Sequence, residues 1–190
     1  DIINQAIELH LQGNIKKAAE SYQYCINQGF NNPTVFSNYG IILRSLGKLE
    51  EAESLQRKAI EIDPNNKDAY LNLGNILIDL GKLKEAEPVQ RKVIELSPTF
   101  AMGYNNLGNT LKDLGKLEEA ELSINRAIEL NPNFAIAYYN LGTVLKDLDK
   151  LKDAELSTRK AIELNPNFAD AYSNLGSILK NLDKLEESNL

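Results

Sequence analysis

The chain has 190 residues, 43% hydrophobic and 25% charged, with 27 acidic against 21 basic residues and a net charge of −6. It is too apolar for a disordered segment, and its dispersed Lys and Arg form no basic stripe that could neutralise phosphates, which excludes nucleic acid and anionic membranes as partners. No apolar run is long enough to span a bilayer and no secretory leader is present at the N-terminus, so the chain reads as cytoplasmic; it begins at Asp1 without Met, as a fragment would.

From the N-terminus, residues 6–30 (AIELHLQGNIKKAAESYQYCINQGF) read as a diverged pair of helices. A self-similar pattern at a shift of 34 residues follows. FSNYG (36–40), YLNLG (70–74), YNNLG (104–108), YYNLG (138–142) and YSNLG (172–176) superpose, and so do the segments that end at Pro64, Pro98, Pro132 and Pro166. The repeats are 1–32 (diverged), 33–66, 67–100, 101–134, 135–168 and 169–190 (truncated), in one domain spanning 1–190. About 12 helices are expected, counting a cut one at the C-terminus.

Each repeat is numbered from position 1 at Pro33, Lys67, Ala101, Ala135 and Ala169. In its first half, positions 4, 7, 8, 11 and 14 are apolar or small, as in Tyr104, Leu107, Gly108, Leu111 and Leu114, which is the spacing of one buried helical face. Gly115 stands where a left-handed residue ends that helix. Leu117, Ala120, Ile124, Ala127, Ile128 and Leu130 define a second helix, with Glu118, Glu119 and Glu121 early in it, where the helix dipole favours negative charge. Asn131-Pro132 stops it, because a residue before Pro is pushed out of the α region. Each unit is thus an antiparallel helical hairpin, and the fold class is all-α, a solenoid of stacked helix pairs.

Two positions depart from a regular array. Pro88 falls inside a second helix, where it removes a backbone hydrogen bond at a cost of about 3 kcal/mol, so a kink or local opening is expected near residues 84–88. The final KLEESNL (184–190) supplies no polar capping helix, so the last apolar flank is expected to cause end-to-end stacking or a homodimer.

The residues quoted above carry a resemblance to the tetratricopeptide-repeat (TPR) family over essentially the whole chain. The resemblance implies a right-handed superhelix with first helices on its concave side and second helices on its convex side. Position 4, often Trp in the family, is Phe36, Tyr70, Tyr104, Tyr138 and Tyr172. Position 24, usually aromatic there, is Tyr22 and then Gln56, Gln90, Ile124 and Thr158, which implies looser packing between repeats.

A second stripe on the first helices, positions 2, 6, 9 and 13, carries the candidate site. It reads Thr34, Asn38, Ile41, Ser45; Asp68, Asn72, Asn75, Asp79; Met102, Asn106, Asn109, Asp113; Ile136, Asn140, Thr143, Asp147; and Asp170, Asn174, Ser177, Asn181. Position 6 is Asn throughout, including Asn4, while position 5 changes freely through Ser37, Leu71, Asn105, Tyr139 and Ser173. An Asn amide offers donors and an acceptor that match the backbone of an extended peptide, whatever its side chains. Asn can equally bond between adjacent first helices and hold the array together.

The row is similar to that of the O-linked N-acetylglucosamine transferase repeat domain, which implies an asparagine ladder for extended substrates at Asn38, Asn72, Asn106, Asn140 and Asn174. That resemblance also implies acids at position 2, kept here only as Asp68 and Asp170. The family's clamp for acidic C-terminal tails has Lys at position 5 and Arg at position 6. Neither occurs in this chain, and Asp79, Asp113 and Asp147 oppose such a tail. The expected partner is therefore a neutral to mildly basic extended segment, and Lys112, Lys146 and Lys180 at position 12 read as solvated partners of the acids.

Catalytic signatures are lacking, and no cofactor or metal is expected. His10 reads as an exposed helix residue and Cys25 as a packed thiol, unable to form an intrachain disulfide. The sequence therefore reads as a scaffold for protein–protein interaction. The alternatives are the substrate-docking region of a larger transferase and a structural or self-assembly spacer.

Overall fold

The structure is a computed structural model and describes residues 2–188, the last five by their backbone alone. Eleven helices are present among them: α1 (Ile2–Leu11), α2 (Ile15–Asn27), α3 (Pro33–Ser45), α4 (Leu49–Ile62), α5 (Lys67–Asp79), α6 (Leu83–Leu96), α7 (Ala101–Asp113), α8 (Leu117–Leu130), α9 (Ala135–Asp147), α10 (Leu151–Leu164) and α11 (Ala169–Ser188). The chain divides into two compact units at Ser97/Pro98. The first holds the helix pairs α1/α2, α3/α4 and α5/α6; the second holds α7/α8, α9/α10 and α11. Each odd-numbered helix from α3 onward begins at position 1 of its repeat.

The turns inside each pair are set by local chemistry. Gly47, Gly81 and Gly115 take φ of 75°, 71° and 75°, and the amides of the following Lys48, Lys82 and Lys116 donate back to Leu43, Leu77 and Leu111 at 2.9, 2.8 and 2.9 Å. This is the Schellman closure, which satisfies carbonyls that the helix end would otherwise leave unpaired. At the same point in α9 stands Asp149, the one non-glycine residue with positive φ (59°) among those described, with Lys150 N donating to Leu145 O at 2.8 Å. Helix starts are capped where side chains allow. The Asn32 side chain accepts from Thr34 N and Val35 N at 2.9 and 3.2 Å, and that of Asn66 accepts from Ala69 N at 2.9 Å.

Helices within a pair approach closely because position 8 is glycine. A Cβ on Gly108 would lie 2.4 Å from Ile124 Cγ1; one on Gly142, 2.3 Å from Thr158 Oγ1; one on Gly40, 2.5 Å from Gln56 Nε2. Position 24 therefore packs into the gap that position 8 leaves. Tyr22, Gln56, Gln90, Ile124 and Thr158 are all buried. In the first unit Ala6, Ala18, Tyr22, Cys25, Val35 and Ile42 form one apolar cluster and Leu73, Leu77 and Ala86 another.

Three expectations need correction. The helix α6 runs without interruption through Pro88. It does not open into a loop there, which corrects the expected opening; its first turn carries an added short bond, with Glu85 N and Ala86 N both donating to Lys82 O at 3.0 Å. Burial of Ala86, Gln90 and Val93 on one face keeps the remaining ladder in place. The twelfth helix is also absent among the described residues. Instead α11 continues from Ala169 to Ser188 through Asp183, where the other repeats turn. Finally, His10 is half-buried, its ring edge-on to Tyr22 with centroids 6.0 Å apart. The stacking expectation tied to 184–190 rests on side chains that lie outside the described residues.

Candidate functional site

The first helices place position 6 beside the preceding repeat, and hydrogen bonds reveal what the asparagines do there. In the first unit, Asn38 on α3 donates its Nδ2 to the Tyr22 hydroxyl on α2 at 3.0 Å, and Asn72 on α5 donates to Ser37 Oγ on α3 at 3.4 Å. In the second unit, Asn140 on α9 donates to Asn105 Oδ1 on α7 at 2.8 Å, and Asn174 on α11 donates to Thr158 Oγ1 on α10 at 3.3 Å. Each amide thus reaches either position 5 or position 24 of the repeat before it. The bond has a consequence at Tyr22, where burial pushes the phenol pKa up and the hydrogen bond from Asn38 holds it back.

These ties make the asparagines less accessible than a row displayed to solvent. Asn140 and Asn174 are only 6% and 7% exposed, whereas Asn38, Asn72, Asn75, Asn106 and Asn109 are half-buried. Their acceptor atoms are less committed. The Oδ1 of Asn38, Asn72 and Asn140 meets no donor among the described residues, while Asn174 Oδ1 accepts from Lys146 Nζ at 3.0 Å.

The charged residues of the stripe sort differently from the sequence reading. Asp68, Asp79, Asp113 and Asp147 are exposed. Asp79 pairs with Arg44 of the preceding first helix at 2.6 Å, which largely cancels its charge, and Asp113 lies 3.3 Å from Lys112 beside it. Asp68 stands 3.5 Å from Lys67. Lys146, expected to pair with an acid, instead crosses to Asn174. Two clefts open on this face. One of about 330 Å³ between α3 and α5 is lined by Ile41, Arg44, Asn72 and Asp79; another of about 240 Å³ between α9 and α11 is lined by Tyr139, Lys146, Asp170 and Asn174.

Arg44 and Asn105 escaped the sequence reading. A signal for Arg44 existed in its offset of 35 residues from Asp79, the same offset that separates Asn105 from Asn140. Another tie between repeats was hidden among glutamates read only as dipole complements. Glu53 on α4, 13% exposed at its side chain, binds Lys82 at 2.8 Å and Arg57 at 2.8 Å, and in the second unit Glu121 binds Lys150 at 2.7 Å. The hydrogen bond from Lys82 lowers the Glu53 carboxyl pKa below the usual carboxylate value.

No group of His, Cys, Asp and Glu that could hold a metal occurs among the described residues, and no helix among them is long and apolar enough to cross a membrane. Family models described as "Tetratricopeptide repeat" match residues 43–98, 101–134, 135–168 and 158–188. No curated protein matches the sequence significantly. Among solved structures, the chain is similar to YrrB, described as a TPR protein with an unusual peptide-binding site, at 24% identity and a TM-score of 0.79, covering 90% of this chain and 89% of that one. It is also similar to a MamA protein at 29% identity, with a TM-score of 0.73 and coverage of 82% and 85%. MamA from Desulfovibrio magneticus RS-1 gives 24% identity, a TM-score of 0.80 and coverage of 88% and 95%.

Proposed function

Because this chain belongs to the tetratricopeptide-repeat family, a family of protein-interaction scaffolds, we propose that it binds an extended peptide or protein segment along the first-helix face of each unit. The reading rests on one observation. Position 6 is Asn in every repeat, and the Oδ1 atoms of Asn38, Asn72 and Asn140 meet no protein donor among the described residues while their Nδ2 groups are tied to the repeat before. A tethered amide is already ordered, so accepting a hydrogen bond from a ligand's backbone N–H costs little further side-chain entropy. The row therefore acts as a set of acceptors, narrower than the donor-and-acceptor match expected of a mobile Asn. YrrB, of the same fold, is described as having a peptide-binding site, which agrees with such a use.

The ties themselves favour a second reading, in which the asparagines only lock neighbouring repeats and the chain serves as a spacer. An amide-to-ester scan of a bound peptide separates the two. Esters remove backbone donors without changing side chains, and the acceptor row predicts losses of about fivefold at the positions that face Asn. Uniform affinity along the scan, or binding unaffected by Asn72→Ala in a folded protein, supports the spacer.

A further inference from the structure

The asparagine row reads backbone, so selectivity must come from its neighbours on the same helices. Position 2 lies one turn before position 6, and in the second unit it is Met102 on α7, Ile136 on α9 and Asp170 on α11. Met102 is 39% exposed and Ile136 48% exposed. Asp170 is exposed, lines the 240 Å³ cleft between α9 and α11, and pairs with no cation among the described residues; Lys146 in the same cleft is engaged by Asn174 Oδ1. The same level in the first unit carries no exposed apolar side chain, being Thr34 and Asp68.

Helices α7 and α9 are in contact, as are α9 and α11. Packed helices lie about 8–10 Å apart, and at that spacing the three side chains would recur at the same interval across the face. An extended chain of polyproline type rises about 3.1 Å per residue and presents every third side chain to the same side, about 9 Å apart. The two intervals match. We infer that the second unit selects a segment with two aliphatic side chains three residues apart, seated on Met102 and Ile136, and a Lys or Arg three residues further on at Asp170. This inference rests on the groove-binding reading and names the chemistry of its occupant.

Apolar contact at the first two sites follows from the exposed area of Met102 and Ile136, which water would otherwise have to cover. At the third, the cation is chosen by Asp170, an exposed acid with no ion-pair partner among the described residues; Lys146 lines the same cleft and keeps its charge, but its Nζ is turned to Asn174 Oδ1 at 3.0 Å. An acidic side chain at that point would meet repulsion.

The probe is a fluorescein-labelled peptide in a serine background, with two leucines three residues apart and a lysine three residues beyond, tested in both chain directions by fluorescence polarisation. In the preferred direction it is expected to bind about fivefold to thirtyfold more tightly than versions with adjacent leucines or with serine for leucine, and Met102→Ser or Ile136→Ser should erase that advantage. Asp170→Lys is expected to reverse preference between the lysine peptide and its glutamate counterpart. All three side chains are exposed, so circular dichroism should register an unchanged fold. Affinity indifferent to leucine spacing and to the sign of the third charge overturns the inference. If the all-serine peptide still loses affinity on ester substitution, the backbone grip survives that failure; if no peptide binds in either direction, both readings fall.

Discussion

Asn140 Nδ2 lies 2.8 Å from Asn105 Oδ1, and both residues are buried, at 6% and 2% exposure. The bond joins α9 to α7 across a repeat boundary. The Asn140 amide donates to the Asn105 carbonyl oxygen here, and removing either residue strands the bonded atom of the other. Asn105→Ala and Asn140→Ala are each expected to lower stability by about 1–3 kcal/mol, and the double variant by less than the sum. Urea denaturation of the four proteins measures the coupling; strict additivity would show that the contact contributes nothing.

Position 8 should respond to the same substitution with opposite sign in different repeats. A Cβ on Gly108 would meet Ile124 Cγ1 at 2.4 Å and Ala120 O at 3.3 Å, so Gly108→Ala is expected to cost about 1–3 kcal/mol through overpacking. Nothing lies within 4 Å of a Cβ on Gly176, so Gly176→Ala should add about 0.5–1 kcal/mol by removing glycine from a helix interior. Thermal melts followed by circular dichroism provide the comparison, and equal shifts would refute the packing account.

Asp149 takes a left-handed conformation where Gly47, Gly81 and Gly115 stand in other repeats. L-residues are strained there by roughly 1–2 kcal/mol, somewhat less for Asp, and glycine's greater unfolded-state freedom returns part of the gain. Asp149→Gly is expected to stabilise by about 0.5 kcal/mol. A urea midpoint that stays put or falls would show that the Asp conformation is not strained.

The pair Glu53–Lys82 links α4 to the turn after α5 and makes stability depend on pH at both ends. Glu53 titrates below the ordinary 4.5 in the folded state, chiefly through its hydrogen bond to Lys82. Its contribution is therefore fully present above pH 4.5 and lost as pH falls through the lowered folded value. Lys82 is raised above 10.5, chiefly by its hydrogen bond to Glu53, so its contribution is present below pH 10.5 and lost as pH rises through the raised value. Urea midpoints against pH should form a plateau between these limits, and Glu53→Gln should flatten the acid limb. An acid limb of unchanged steepness would place the titrating group elsewhere.

The sequence by itself determined the repeat and the helix pairs. Periodicity at a shift of 34, glycine at the turns and Pro after the second helices are local facts, and local chemistry reads them directly. It also identified the stripe of asparagines on the first-helix face. What those asparagines touch was decided only in three dimensions. Asn140 finds Asn105, Asn38 finds Tyr22 and Arg44 finds Asp79 because stacking brings together residues 16 or 35 positions apart, and no helical period encodes that approach. The same packing buried Gln56 and Thr158 against Gly40 and Gly142, and held α6 together through Pro88. At Asp149 a packed second helix follows a left-handed turn, while at Asp183 the chain stays helical. Turning at Asp149 lets α10 pack its buried face against α9, a reward that lies in tertiary contact and not in the local sequence.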